Sequence, residues 1–315
     1  MSSARPSYSI DPRYRAKSCD ERIKFLVLHY TAGSFETSLD TLTNGEVSAH
    51  YLVPDKMVGA DENVIYNLVD ENRRAYHAGV SYWRGRTSLN DTSIGIEIVN
   101  LGYTDDASGK RTWYPFTDYQ IDLVIGVSKD IIARYGIDPI CVVGHNDIAP
   151  GRKPDPGPLF PWEKLAKNGI GAWPDADVAR EIQGKLNDDV DINALQASLK
   201  KYGYNIQTTG ELDQQTKDVI TAFNRHFISI DSDEPSLKMR ATLEALIVKY
   251  LPSKKIVSQA KQEKKLLNEE VDDFVWVSHS DTRLAPKLFR PSVTTHAQTQ
   301  TQHSDHRISA SPMAN

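Results

Sequence analysis

Three short apolar runs, Ile23 to Tyr30 (IKFLVLHY), Ser93 to Val99 (SIGIEIV) and Ile140 to Gly144 (ICVVG), constrain this chain more than any other feature. Runs of this length, rich in β-branched residues, read as buried strands. In the second run the isoleucines alternate, which puts Gly95 and Glu97 on the opposite face. Ala49 to Val53 and Val64 to Val69 read as further strands, and Ser38 to Thr43 as one or two helical turns. Thr117 to Tyr135 reads as a long helix. Thr117 with Gln120 makes a capping box, Ile121, Val124, Ile125, Ile131 and Ile132 supply an apolar face, and Gly136 stops it. Trp162 to Lys167 begins a shorter helix. Strands interleaved with helices predict an α/β fold, a single mixed central β-sheet flanked by helices.

The pattern changes near Asp191, where a small all-α module of three amphipathic helices is expected: Ile192 to Tyr202, Asp213 to Phe227 and Pro235 to Tyr250. Three helices of this size bury only a small core, so the module is expected to lean on the first domain. The division is residues 1–187, 188–252 and a tail of 253–315. Ser253 to Asp273 is charged, and His296 to Asn315 is rich in Gln, Thr, Ser and His, so the tail reads as largely disordered.

Lys and Arg number 37 against 42 Asp and Glu, a net charge of −5. With no strong basic field, nucleic acid is not expected as a main partner. Cys19 and Cys141 lie far apart in sequence, and no disulfide is expected. The N-terminal residues carry no apolar stretch of signal-peptide type, and no run approaches the ~18 apolar residues of a membrane helix. The chain therefore reads as soluble, made in the cytosol and without a transmembrane segment.

The chemistry gathers at the strand ends. His29 and His145 stand at the ends of two predicted strands. Residues 149–161 (APGRKPDPGPLFP) hold five prolines and two glycines, which makes them a rigid irregular loop carrying Lys153 and Asp155. Hydrolytic zinc sites take three N or O ligands and leave a position for water. If the two strands are sheet neighbours, His29, His145 and Asp155 can converge as that set. Glu97, on a third strand, can take a proton from water, and the Lys153 ammonium can stabilise an oxyanion. By residue type alone His50 and His77 are also possible ligands, so four histidines stay open.

The residues that narrow this choice are Leu26-Val-Leu-His29-Tyr-Thr-Ala, Ser48-Ala-His50-Tyr-Leu-Val, His77-Ala-Gly, Leu89-Asn-Asp-Thr-Ser-Ile-Gly-Ile-Glu97-Ile and Val143-Gly-His145-Asn-Asp-Ile-Ala-Pro, followed by Gly151-Arg-Lys153-Pro-Asp155-Pro-Gly-Pro. In this order and spacing they resemble the zinc N-acetylmuramoyl-L-alanine amidases of the AmpD/AmiD type. The resemblance covers roughly Arg22 to Pro174, and more weakly the helices to about Tyr250. It implies the peptidoglycan amidase fold and one zinc per chain on His29, His145 and Asp155, with Glu97 and Lys153 catalytic. The implied reaction is hydrolysis of the amide between N-acetylmuramic acid, or its 1,6-anhydro form, and L-alanine in peptidoglycan or muropeptides.

On the same resemblance, His50 and His77 become packing or groove residues. The 70–91 loop is then expected to line the groove, with Arg73, Arg74, Arg84 and Arg86 near peptide carboxylates or simply solvated. Trp83 and Trp113 either stack on sugars or pack in the protein. The helical module resembles small peptidoglycan-binding-like units. A non-catalytic recognition protein on the same fold, and a different amide hydrolase, are the alternatives. Similarity to the larger members points to action on periplasmic peptidoglycan more than to a purely cytoplasmic role, although no cleavable signal peptide is visible, and the oligomeric state stays open.

Overall fold

A computed structural model of the chain describes residues 8–56 and 63–251. The extreme N-terminus and the tail of 253–315 that the sequence reads as disordered lie outside the described residues. The strands are β1 (Phe25–Tyr30), β2 (Tyr51–Val53), β3 (Tyr66–Asn67), β4 (Tyr82–Trp83), β5 (Arg86–Thr87), β6 (Ser93–Ile98), β7 (Tyr103–Asp105), β8 (Arg111–Trp113) and β9 (Val142–Gly144). The helices are α1 (Phe35–Asn44), α2 (Asp118–Tyr135), α3 (His145–Ile148), α4 (Trp162–Lys167), α5 (Ala176–Gln183), α6 (Ile192–Tyr202), α7 (Gln214–Phe227) and α8 (Leu237–Tyr250).

The central sheet has five strands in the order β3-β2-β6-β1-β9. Strands β2, β6, β1 and β9 run parallel, and β3 closes one edge antiparallel, so the sheet is mixed. Alternation along β1 and β6 splits their side chains between two cores. Leu26, Leu28, Ile94, Ile96 and Ile98 pack with Ile121, Val124, Ile125 and Ile131 of α2. Phe25 and Val27 face the other way, into a core shared with Leu199, Tyr202, Tyr204, Phe223 and Leu246 of the C-terminal helices. One face of the sheet and the C-terminal helices thus share the second of these cores, which is how so small a helical unit obtains a core.

Helix α2 begins and ends where its sequence signals lie. Thr117 and Gln120 form the capping box, and Gly136 adopts φ 61° at the stop. The Gln120 side chain also donates to the Val99 carbonyl at 2.6 Å, pinning the helix start to the end of β6.

Other elements differ from expectation. The run Val64 to Val69 pairs only at Tyr66–Asn67, because it lies on the sheet edge with a single neighbour. The 70–91 loop is ordered by a tight hairpin, β4–β5, whose two turn residues Arg84 and Gly85 both have positive φ (49° and 84°), a primed turn that suits the strand twist. The β7–β8 hairpin, which pairs only with itself, and the short helix α5, which buries none of its residues, lie beyond the elements that the sequence pattern predicts. Asp213 and Ser236 act as N-caps, so α7 and α8 start one and two residues later than the apolar pattern indicates. Cys19 and Cys141 are both free, as expected. Among the described residues no helix is long and apolar enough to cross a membrane.

Candidate active site

The parallel pairing of β1 with both β6 and β9 does what the sequence could only pose as a condition. His29 lies beside Glu97 in the β1–β6 register, and Leu28 pairs with Gly144, immediately before His145. All three residues therefore emerge at the carboxyl ends of adjacent parallel strands, where open α/β sheets place their ligands. The proline-rich loop returns to the same edge. There the Asn146 N–H donates to the Asp155 carbonyl at 2.8 Å and sets the two ligand-bearing segments against each other.

His29 Nδ1, His145 Nδ1 and Asp155 Oδ2 form a triangle with all three sides 3.0 Å. Ligands of a tetrahedral ion with bonds of about 2.0–2.1 Å sit about 3.3 Å apart, so the triangle has nearly the size of one face of such a site. The hydrogen bonds behind it decide which nitrogens carry protons. Ser93 Oγ donates to the Leu89 carbonyl at 2.7 Å, so at 3.1 Å from His77 Nε2 it must accept. His77 Nε2 is then the donor and its Nδ1 the acceptor, 3.0 Å from His29 Nε2, which must donate. The Ala78 carbonyl, 3.2 Å from His145 Nε2, makes that nitrogen a donor as well. Both Nδ1 atoms are left with lone pairs aimed at a carboxylate oxygen. Three convergent acceptors repel one another unless a cation lies among them, so the residues fit a metal ion.

Burial and the neighbouring His145 lower the His29 imidazole to about 4, against the pull of Asp155. It is therefore neutral at pH 7, as a ligand must be. Burial, then the nearby histidines, hold His77 well below its ordinary range too, consistent with its acceptor Nδ1. Burial opposes ionisation of Asp155, but its contacts with His145 and His29 keep the carboxyl below the usual range.

Glu97 Oε1 lies 3.9 Å from His29 Nδ1, and its Oε2 is buried without a hydrogen-bond partner among the described residues. Burial, followed by the charge of Asp155, pushes the Glu97 carboxyl well above the carboxylate range, while Lys153 pulls it down. Glu97, Lys153, His145 and Asp155 share the wall of an open cleft of about 520 Å³ with Tyr30 and Tyr103. Helix α1, capped by Ser34, also lines the cleft through Thr37, Ser38 and Thr41.

His50 and His77 do not join the triangle. His77 orients His29, while His50 Nδ1 accepts from the Gly95 N–H at 3.0 Å and braces β6. Of the 70–91 loop, Tyr76 and His77 line the cleft, and none of Arg73, Arg74, Arg84 and Arg86 does. Arg74 pairs with Asp91, and Arg84 donates to the Tyr202 carbonyl. Trp83 is a core residue, 1% exposed, whose Nε1 donates to Ile140 O at 2.8 Å. Trp113 packs against Tyr103, with the Arg111 and Arg225 guanidinium groups over its ring. The link from His77 to His29 was not visible in sequence, because 48 residues separate them.

The strand pattern places Gly95 only on a face of β6; in the fold the His77 ring lies against it. A Cβ there would meet His77 Cγ at 2.5 Å. Gly95→Ala is expected to displace His77, remove the acceptor from His29 Nε2 and weaken metal binding by roughly 10- to 100-fold. Competition with a chromogenic chelator measures this directly.

Comparison with known proteins identifies the family. The family described as N-acetylmuramoyl-L-alanine amidase matches residues 20–158. The chain is 47% identical over 249 residues to N-acetylmuramoyl-L-alanine amidase AmiD of Escherichia coli, a match spanning 77% of this chain and 89% of that protein. It is 34% identical to 1,6-anhydro-N-acetylmuramyl-L-alanine amidase AmpD of Enterobacter cloacae, over 49% of this chain and 84% of the other. In structure it superposes on E. coli AmiD in complex with anhydro-N-acetylmuramic acid-L-Ala-D-gamma-Glu-L-Lys. The TM-score is 0.74 at 45% identity, covering 78% of this chain and 96% of that one. The AmpDh3 protein of Pseudomonas aeruginosa, in complex with anhydromuramic pentapeptide, matches with a TM-score of 0.72 at 39% identity, over 78% and 99% of the two chains. On sequence and fold together, the chain belongs to the N-acetylmuramoyl-L-alanine amidases, enzymes of amide hydrolysis.

Proposed function

We propose that this amidase is zinc-dependent, with one ion on His29, His145 and Asp155, and that it cleaves the amide between the lactyl group of N-acetylmuramic acid and L-alanine in muropeptides. The observation that carries the reading is the triangle of ligand atoms beside the unpaired Oε2 of Glu97, with His145, Asp155 and Glu97 lining one cleft. Zinc held there supplies a cation that makes water more acidic and polarises the amide carbonyl. Glu97 accepts the proton of the attacking water and returns it to the leaving L-alanine nitrogen. Its burial, which raises its proton affinity, makes it a stronger base than an exposed carboxylate. The Lys153 ammonium donates to the oxygen on which negative charge develops. A recognition protein has no need of Glu97 and Lys153 at the edge of a metal triangle, and their presence favours catalysis over binding alone.

The substrate class follows from the relatives, since the AmiD and AmpDh3 structures hold anhydromuramyl peptides in this fold. Incubation with an anhydromuramyl tetrapeptide should release an intact stem peptide beginning with L-Ala, read by mass spectrometry. Cleavage within the peptide, or loss of an acetyl group, would contradict the assignment.

A further inference from the structure

Asp147 lies two residues beyond His145 and is 1% exposed. A buried carboxylate must be satisfied by donors, and Asp147 has three. The Gly144 N–H reaches Oδ2 at 2.7 Å, His226 Nδ1–H reaches the same oxygen at 2.7 Å, and the Tyr204 hydroxyl reaches Oδ1 at 2.7 Å. The first of these fixes the backbone immediately before His145. The other two come from the C-terminal helical region, one from α7 and one from just beyond α6. The His226 ring is in turn stacked between Trp162, at 3.8 Å between centroids, and Phe227, at 3.9 Å. A second tie runs in parallel: Asn146, whose N–H holds the Asp155 carbonyl, donates through Nδ2 to the Ala222 carbonyl of α7 at 3.0 Å.

We propose that Asp147 is a positioning residue for the metal triangle, and that Tyr204 and His226 hold it so that the C-terminal helices brace the His145 and Asp155 ligands. This rests on the reading of those residues as metal ligands. The helices then have a role in hydrolysis of soluble fragments, separate from any affinity for the cell wall. A ligand's outer hydrogen bonds fix its aim, and losing one typically costs 10- to 100-fold in metal affinity. Here the bonds act through the backbone of α3 rather than on the imidazole itself, which places the expected loss at the lower end, about tenfold.

The test uses the full-length zinc enzyme. Tyr204→Phe removes one hydroxyl, and His226→Phe keeps a stacked ring but removes the donor. Zinc affinity is measured by chelator competition, at a temperature where circular dichroism shows each metal-free variant folded. Both variants should lose about tenfold in zinc affinity, with KM for a soluble muropeptide unchanged under saturating zinc. Tyr202→Phe is the control. It lies in the same aromatic cluster, 6.4 Å between ring centroids from Tyr204, and makes no hydrogen bond to Asp147 among the described residues. It should bind zinc like the parent. Affinities within about twofold of the parent in both Tyr204→Phe and His226→Phe, or an equal loss in Tyr202→Phe, overturn the proposal. If His226→Phe does not fold, Tyr204→Phe decides alone. His29→Ala separates the two levels. Full zinc occupancy in that variant rejects the metal site itself, whereas loss there with parent-like Tyr204→Phe and His226→Phe rejects only the positioning role.

Discussion

Replacement of His145 by Ala, and equally of His29 or Asp155, is expected to abolish stable zinc binding and reduce turnover to background. The three ligand atoms stand at the corners of one triangle, 3.0 Å apart, so any deletion leaves two donors where hydrolytic zinc takes three. The loss should exceed the roughly 10- to 100-fold that follows from removing an outer partner. Elemental analysis after dialysis should fall from about one zinc per chain to near zero. In the parent, chelation should remove activity and zinc should restore it. Close to one zinc per chain in all three variants would require a different ligand set.

Glu97→Gln is expected to separate metal binding from chemistry. The amide keeps the volume of the carboxylate beside His29 but cannot accept a proton, so zinc occupancy should match the parent while kcat falls by about 10²-fold or more. KM should change little, because the lost interaction belongs to proton transfer rather than to ground-state binding. Lys153→Ala should also retain zinc and lose kcat, through the missing oxyanion donor. Single-turnover rates with saturating zinc provide the measurement. Near-parent kcat in Glu97→Gln would move the base elsewhere, and His77 is too engaged by His29 and Ser93 to take the role unaided.

The elements legible in sequence are those whose stability is local or whose burial is complete. Helix α2 has its cap, apolar face and glycine stop within 20 residues, and it formed between those signals. Strands β1 and β6 are buried on both faces and read as continuous or alternating apolar runs. The weak elements were those with few partners. Strand β3 is two residues on a sheet edge, and the β7–β8 hairpin pairs only with itself. Such pieces carry little hydrophobic signal because they bury little.

The site divides along the same line. Residue chemistry and motif order determined which side chains to group, His29, His145 and Asp155 with Glu97 and Lys153, since a zinc hydrolase needs those types and the spacing of the motifs resembles one family. Sequence also carried the α/β class, through short β-branched apolar runs that read as strands and a helix with both ends marked. What it could not contain was adjacency across the sheet. Parallel pairing of β1 with β6 and β9 alone decided that His29 stands beside Glu97 and next to His145. Tertiary structure likewise decided that His77 sets the His29 tautomer, that Gly95 must lack a side chain, and that Tyr204 and His226 reach Asp147 across 57 and 79 residues. The physical reason is common to all of these. Hydrophobic period and capping are written within a few residues of the chain, whereas a hydrogen bond between distant segments exists only after folding has placed the two surfaces in contact.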